Sequence, residues 1–349
     1  MYVLVTGAAG FIATEVIRAL LTAGHQVRAL DALIPSVHPA QTVPTFPDGV
    51  EFVHGDVRDA DTVAAALWGI DVVCHHAAMV GRGKEIMDAP LYTGCNDVGT
   101  AVLLAEMTRA HLCRLVLASS VVIYGDSIYW CASDGVVNPP PRAREDLDAG
   151  RFEPRCPRCG AEVVARAVSE EHPLNPPRNV YAISKLSQEY LVGAWVRETP
   201  GSAIALRYHN VYGPGMRYDS PYSGVAAAFR SHIEAGYPPR VYEDGGSRRD
   251  FVHVRDVASA NVAAITHQVD GLRTYNIASG DPRPILDVAW ALSEATGARP
   301  PEVTGQYRIG DVRHIVASPR RARDELGWRP AIGFDAGMKE FAIAPMRRS

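Results

Sequence analysis

The 349-residue chain has no apolar run long enough to cross a bilayer, no surplus of either charge, and little cysteine. The first absence excludes a transmembrane helix. The second, a formal net charge of −4 with basic and acidic residues interleaved, leaves no electrostatic footprint for a nucleic acid or an anionic membrane surface. The third, six cysteines in a chain of this size, argues against a disulfide framework and fits a reducing compartment. The opening Met1–Val5 is too short, and too soon followed by glycines, to read as a leader; it reads as a first strand, and a cytosolic location is expected. What remains is an ordinary globular composition, 47% hydrophobic and 21% charged, with length enough for two modest domains sharing one cleft.

Short apolar runs alternate with helix-like stretches through the first third. Strands are expected at Tyr2–Thr6, Gln26–Leu30, Val50–His54, Asp71–His75 and Arg114–Ser119, with helices at Phe11–Ala23 and Ala60–Leu67 and a long one ending near Ala110. That rhythm predicts a parallel sheet covered on both faces, a doubly wound α/β fold of Rossmann type. Residues 126–178 break it with Pro139-Pro140-Pro141, many charges and Cys156-Pro157-Arg158-Cys159, which points to function or an added module. Helix Val180–Val196 and strand Ala203–Arg207 resume the pattern. The expected division is a cofactor domain over 1–209 and a smaller α/β substrate lobe over 210–349, of which about 246–270 returns to the first domain. Met346–Ser349 read as a frayed end. Trp68, Trp195, Trp290 and Trp328 sit at helical spacing and are expected in the core; Cys74, Cys95 and Cys113 read as small buried hydrophobes.

Gly7-Ala8-Ala9-Gly10-Phe11-Ile12-Ala13 joins the first strand to the first helix. Glycines there permit a tight turn and close approach to a pyrophosphate, and the helix start offers free N–H groups to the anion. Ala13 replaces a third glycine and is small enough for close packing; a plain strand–helix turn would have the same look. Asp31 ends the second strand, where an acid binds ribose hydroxyls and repels a 2′-phosphate, so NAD is expected over NADP. Asp56, after the third strand, reads equally as an adenine neighbour or a helix cap. Tyr181 and Lys185, four apart at the start of a helix, share one side. A lysine cation beside a phenol lowers the phenol's pKa, as proton transfer to a sugar hydroxyl near neutral pH requires. Such a pair is also ordinary surface decoration, and Ser120, before Tyr124-Gly125, fits a turn or cap as well as a hydrogen bond to that hydroxyl.

In these motifs, and in His76-Ala77-Ala78, Asn96-Asp97-Val98-Gly99-Thr100, Arg207-Tyr208-His209-Asn210-Val211-Tyr212-Gly213-Pro214, Arg248-Arg249-Asp250-Phe251 and Arg308-Ile309-Gly310-Asp311, the chain resembles the NAD-dependent sugar epimerase/dehydratase family of extended short-chain dehydrogenases, nearly end to end. The resemblance implies a catalytic Ser120–Tyr181–Lys185 triad. It implies NAD held by Gly7, Ala9, Gly10, Phe11, Ile12 and Asp31, with Asp56, Val57, Ala77, Ala78 and Asn96 beside it. Tyr181, Lys185 and Tyr208 then flank the nicotinamide. It places a nucleotide-diphosphate sugar on Ser120, Asn210, Arg249 and Arg308, its base near Val241 and Tyr242; guanidinium forks suit phosphate oxygens, although each arginine alone reads as readily as a surface ion-pair partner. It also implies a homodimer joined by helices.

Family members share oxidation at C4 of the sugar and diverge afterwards. A dehydratase would carry an Asp-Glu pair after Ser120, where this chain has Val121 and Val122. The route needing only the triad and NAD is 4-epimerisation through a keto sugar; an NAD-linked dehydrogenase or reductase, or an NAD-binding regulator without activity, are the alternatives. The 126–178 segment roughly doubles the usual Ser-to-Tyr spacing. Cys156-x-x-Cys159 closed by Gly160 has a zinc-knuckle shape, with Cys131 a third thiol. The insert is similar to the cysteine-bearing one of bacterial dTDP-L-rhamnose 4-epimerase-like members, where a Cys-x-x-His pair would come first; here Asp134 stands in the histidine's place. Asp134 or His172 would complete a structural Zn site; a metal-free loop of reduced thiols is the other reading.

Overall fold

The computed structural model describes residues 1–35, 37–38, 45–81, 86–218 and 224–347. Its centre is a seven-stranded sheet built from β1 (Tyr2–Thr6), β2 (Gln26–Asp31), β3 (Val50–His54), β4 (Val72–His75), β5 (Arg114–Ser120), β9 (Ser202–Tyr208) and β13 (Leu272–Ile277). All neighbours are parallel, in the order β3-β2-β1-β4-β5-β9-β13. The order reverses between β1 and β4, which opens a crevice at the carboxyl ends of the strands. This is the doubly wound Rossmann architecture anticipated from the alternating pattern.

Both faces are covered. Helix α1 (Phe11–Thr22) buries Ala13, Val16, Ile17 and Leu20, spaced three and four apart, against α8 (Val254–Thr266) and the sheet. Full burial of a side chain such as Ile17 or Leu20 is worth about 2 kcal/mol. On the other face lie α2 (Ala60–Ala66), α4 (Gly99–Arg109) and α6 (Val180–Glu198), packed through Leu103, Met107, Val192 and Trp195. The long helix expected before Ala110 is a run of α3 (Ala89–Tyr92), wider π-helical turns over Thr93–Val98, and α4. Those wide turns carry Asn96 into the interior, and such turns often mark functional places.

The 126–178 segment is an ordered module. Its strands β6 (Ile128–Cys131), β7 (Gly135–Val137) and β8 (Val164–Arg166) make a small antiparallel sheet, order β7-β6-β8, with α5 (Arg144–Asp148) beside it. The second lobe pairs β10 (Asn210–Tyr212) with β12 (Arg248–His253) and β14 (Pro282–Pro284), and β11 (Arg240–Val241) with β15 (Glu302–Val303). Helices α7 (Val225–Glu234), α9 (Ile285–Thr296) and α11 (Phe334–Ile343) enclose its core of Phe229, Val288, Leu292, Met338 and Phe341, while α10 (Arg320–Glu325) lies by β13. The chain rejoins the first domain through α8 and β13, residues 254–277.

Three expectations need correction. Trp68 is 80% exposed and Trp290 43%, so helical spacing did not identify their faces; Trp195 and Trp328 are buried. Cys113 is only half-buried, unlike Cys74 and Cys95. Of the end expected to fray, Met346 is packed in the lobe's core and the Arg347 backbone bonds Met216 and Tyr218, while 348–349 lie outside the described residues. Among the described residues no helix is long and apolar enough to cross a membrane.

Candidate active site

The glycine turn is built for a backbone approach. Gly7 has φ +65°, and a Cβ there would lie 2.6 Å from the Ala77 nitrogen, so the turn after β1 is pressed against the Ala77-Ala78 segment that follows β4. Thr6 fixes that segment: its Oγ1 accepts from the Ala77 N–H at 3.1 Å and pairs with His75 Nδ1 at 2.7 Å. The Gly10 N–H donates to the Gly7 carbonyl at 2.9 Å, and Gly10 starts α1 without any side-chain cap, leaving the Phe11–Ile12 end of the helix to an anion. Asp31, at the end of β2, accepts from the Ala9 N–H at 2.9 Å and from the Leu33 N–H at 2.8 Å. The carboxylate is therefore held at the lip of the turn. These donors and this acid are what a dinucleotide diphosphate and its ribose need, so the residues fit NAD.

Further along the crevice Asp56 is gripped by its neighbour Arg58, through the backbone N–H at 2.9 Å and the guanidinium at 2.6 Å, which holds its carboxyl below the usual range. The cap of α2 is Asp59, accepting from Asp61, so the capping role considered for Asp56 belongs three residues later. Val57 is buried against Gly99. The Asn96 amide is largely committed to the protein: it bonds both backbone groups of Met79 and donates to Ser184 Oγ at 2.8 Å, tying the post-β4 segment to α6.

The triad residues converge at the carboxyl end of β5. Asn179 caps α6 by accepting from the Ala182 N–H at 2.9 Å, which sets Tyr181 in the first turn. The Tyr181 hydroxyl faces Ser120, the last residue of β5, whose hydroxyl favours the phenolate. Lys185, 4% exposed, donates from Nζ to the Ala118 carbonyl at 2.9 Å. The expected depression of the Tyr181 pKa is not found in the protein by itself. Burial pushes the phenol up to about 12, because taking the phenolate out of water costs more than the nearby Ser120 hydroxyl returns. Burial also brings Lys185 down to about 8, with Glu189 opposing it. His75 and His76 fall to about 3 and about 4, from burial first and Lys185 second, and so are neutral. His76 stacks on Tyr208 at 6.1 Å, and Tyr208 donates to Asn261 at 2.9 Å.

Behind the triad lies a buried network that motif reading did not foresee. Glu189 on α6 accepts from Ser119 Oγ at 2.5 Å and forms a two-pronged ion pair with Arg207 of β9, at 3.0 and 2.8 Å. Arg207 donates to the Tyr124 hydroxyl at 2.8 Å, which donates to Asn276. The arginine in Arg207-Tyr208-His209-Asn210, an always-charged residue inside an apolar strand, was the available signal for a buried partner. The Arg347 guanidinium, from the far end of the chain, donates to the Ala9 carbonyl at 2.7 Å.

On the lobe side, Asn210 is half-buried at the start of β10. Arg308 lies over the Tyr242 ring at 4.9 Å, and Tyr242 is partly exposed. The Val241 side chain is fully buried in the lobe's core, and its carbonyl accepts from the Thr304 N–H. Arg249 donates to the Arg313 and Val312 carbonyls at 2.9 and 2.6 Å, which makes it a strut for the 312–313 backbone as well as a charge on that side.

The model of the NAD dependent epimerase/dehydratase family matches residues 3–157 and 159–278. A dTDP-L-rhamnose 4-epimerase of Burkholderia thailandensis is 32% identical over 343 residues, 97% of this chain and 93% of that protein. A UDP-glucose 4-epimerase of Mycolicibacterium smegmatis is 31% identical, over 97% of this chain and 96% of its own. The solved UDP-glucose 4-epimerase of Thermus thermophilus in complex with NAD superposes with a TM-score of 0.76 at 29% identity, covering 98% of both chains.

Proposed function

Given that the chain belongs to the NAD dependent epimerase/dehydratase family, we propose that it is an NAD-dependent 4-epimerase of a nucleotide-linked sugar, working through a transient 4-keto intermediate. The observation that carries this reading is the convergence of Ser120, Tyr181 and Lys185 beside the crevice, followed by Val121 and Val122 where elimination would need an acid.

The roles follow from the chemistry of each group. Ser120 holds the C4 hydroxyl and aligns it on Tyr181. Tyr181 takes the hydroxyl proton as C4 is oxidised and returns it as C4 is reduced. Lys185, fixed on the Ala118 carbonyl, favours the charged phenol when its ammonium is present. NAD bound along the glycine turn supplies the hydride acceptor and donor, and a positive charge that favours the phenolate. Val121 and Val122 move no protons, so the keto sugar is reduced without loss of water; if it turns over first, the product is the C4 epimer. Asn210, Arg249 and Arg308 are the residues we assign to the nucleotide diphosphate, with Tyr242 against the base.

We further assign a homodimer joined by helices, supported by the outward apolar side chains Val98, in the turn before α4, and Ile183 and Tyr190 on α6. Incubating the protein with a panel of dTDP- and UDP-sugars and no added NAD tests the main reading. An epimer differing only at C4 is expected; stoichiometric accumulation of reduced nicotinamide would instead establish a dehydrogenase.

A further inference from the structure

The sheet of the 126–178 module packs on one small cluster of buried side chains, Tyr129, Cys131, Val137, Cys156 and Val163. A core that small does not hold an independent sheet without a staple. No disulfide supplies one, since all three thiols are free and the Cys131 and Cys159 sulfurs stand 3.5 Å apart. What the module has instead is the same turn built twice. Cys131-Ala132-Ser133-Asp134-Gly135 and Cys156-Pro157-Arg158-Cys159-Gly160 each place two ligand-type residues three apart and close with a left-handed glycine, φ +70° and +73°. The two turns face one another.

All four ligand atoms lie within 4.8 Å of each other. Cys131 Sγ is 3.6 Å and Cys156 Sγ 3.1 Å from Asp134 Oδ2. In a tetrahedron with metal–sulfur bonds of about 2.3 Å and a metal–oxygen bond of about 2.0 Å, the edges are about 3.8 Å between sulfurs and about 3.5 Å from sulfur to oxygen. The observed separations are already near those edges. Cys131 and Cys156 are buried and Cys159 is exposed, so the cluster opens to solvent on one side. His172 is not part of it; its ring bonds Ser169.

The module is also wired to the nucleotide side of the cleft. Three residues before Cys156, Glu153 accepts from Arg313 at 2.6 Å and meets His314 Nε2 at 2.9 Å. Arg142 forms an ion pair with Glu243 at 2.8 Å and donates to the Asp311 carbonyl at 2.9 Å. Tyr307 bonds Asp148 of α5. Residues 307–314, which include Arg308 and hold Arg249 by their carbonyls, therefore lean on the module rather than on their own lobe alone.

We propose that Cys131, Asp134, Cys156 and Cys159 bind one Zn²⁺, and that this ion locks the module as a brace for the loop that holds the nucleotide diphosphate. Three thiolates select zinc among the common divalent ions, and a closed set of four protein ligands leaves no position for substrate, so the ion is structural. The brace rests on the nucleotide-sugar reading of the cleft; the metal site does not.

The full chain, purified without added metal, is assayed for metals by mass spectrometry. One zinc per chain is expected, retained in Asp134→His and lost in Cys159→Ser. Cobalt in its place is expected to give the strong visible absorption of a tetrahedral thiolate centre. Iron in place of zinc, no metal, or zinc undiminished in Cys159→Ser overturns the site. UDP and dTDP binding are then compared by calorimetry in wild type, Cys159→Ser and Glu153→Gln, the last keeping all four ligands while cutting the link to Arg313 and His314. A loss of about tenfold in affinity is expected in both variants, with zinc kept in Glu153→Gln and bound NAD unchanged throughout. Unchanged UDP and dTDP affinity in Glu153→Gln overturns the brace, whether or not Cys159→Ser folds. Failure of the wild type to bind either nucleotide would sink the nucleotide-sugar reading and the brace together, and leave the metal count standing.

Discussion

Replacing Lys185 by methionine is expected to make the protein more stable and inactive at once. The ammonium is buried and its pKa falls from 10.5 to about 8, so the fold disfavours the charged form that neutral pH imposes. That fall is worth about 3 kcal/mol of lost stability at pH 7. Methionine has a similar length and no charge to desolvate, but it leaves the Ala118 carbonyl without its donor, a cost of about 1–2 kcal/mol. The net expectation is a gain of about 1–2 kcal/mol at pH 7. The pH dependence carries the sign. Between about pH 8 and 10.5 the unfolded lysine is still protonated and the folded one is not, so wild-type stability rises with pH there and the advantage of the variant disappears. Tyrosines such as Tyr181, raised by burial, act oppositely only above pH 10, and they are common to both proteins. Urea unfolding of wild type and Lys185→Met at pH 7 and pH 10, read as the difference between the two, is the assay. A variant less stable at pH 7 and unchanged in its deficit at pH 10 would refute the reasoning. Turnover of the variant should fall by about 10²–10⁴.

Glu189→Gln removes the partner of a buried arginine and is expected to cost about 3–5 kcal/mol in stability; an unfolding midpoint equal to wild type would contradict the network described. Gly7→Ala needs a left-handed alanine whose Cβ meets the Ala77 backbone, so the purified variant should carry little or no NAD by absorbance and mass, with wild-type occupancy as the adverse result. Asp31→Ala should weaken NAD at least tenfold in a dissociation assay and narrow its preference over NADP, since both the anchor on Ala9 and the repulsion of a 2′-phosphate are lost; an unchanged preference would count against the placement.

The parts of this molecule that were legible in sequence are those fixed by short-range pattern. A strand buried on both faces is a run of apolar residues, a phosphate turn needs glycine at a set place, and Tyr181 and Lys185 share a side because a helix repeats every 3.6 residues. Contacts between distant segments left no such trace. Nothing near Glu189 names Arg207 as its partner, and nothing near Ala9 announces Arg347, 338 positions away. The misplaced Trp68 and Trp290 show the limit of periodicity, which gives a spacing but not which face meets the core. Val241 is expected near the base from the family resemblance alone; the fold adds that its side chain fills the lobe's interior. The direction of the Tyr181 shift was missed for another reason: motif logic counts the nearby lysine and overlooks the desolvation of the phenol. In the insert, spacing identified the cysteines, and only the fold showed that Asp134, not His172, lies among them.

The most direct test follows a single atom. A nucleotide sugar carrying deuterium at C4, turned over by the protein in ordinary water, is expected to yield the epimer with the deuterium still on C4, because hydrogen leaves that carbon as hydride and returns to it within one active site. Replacement of the label by solvent hydrogen, or conversion at another ring carbon with C4 untouched, would contradict the account.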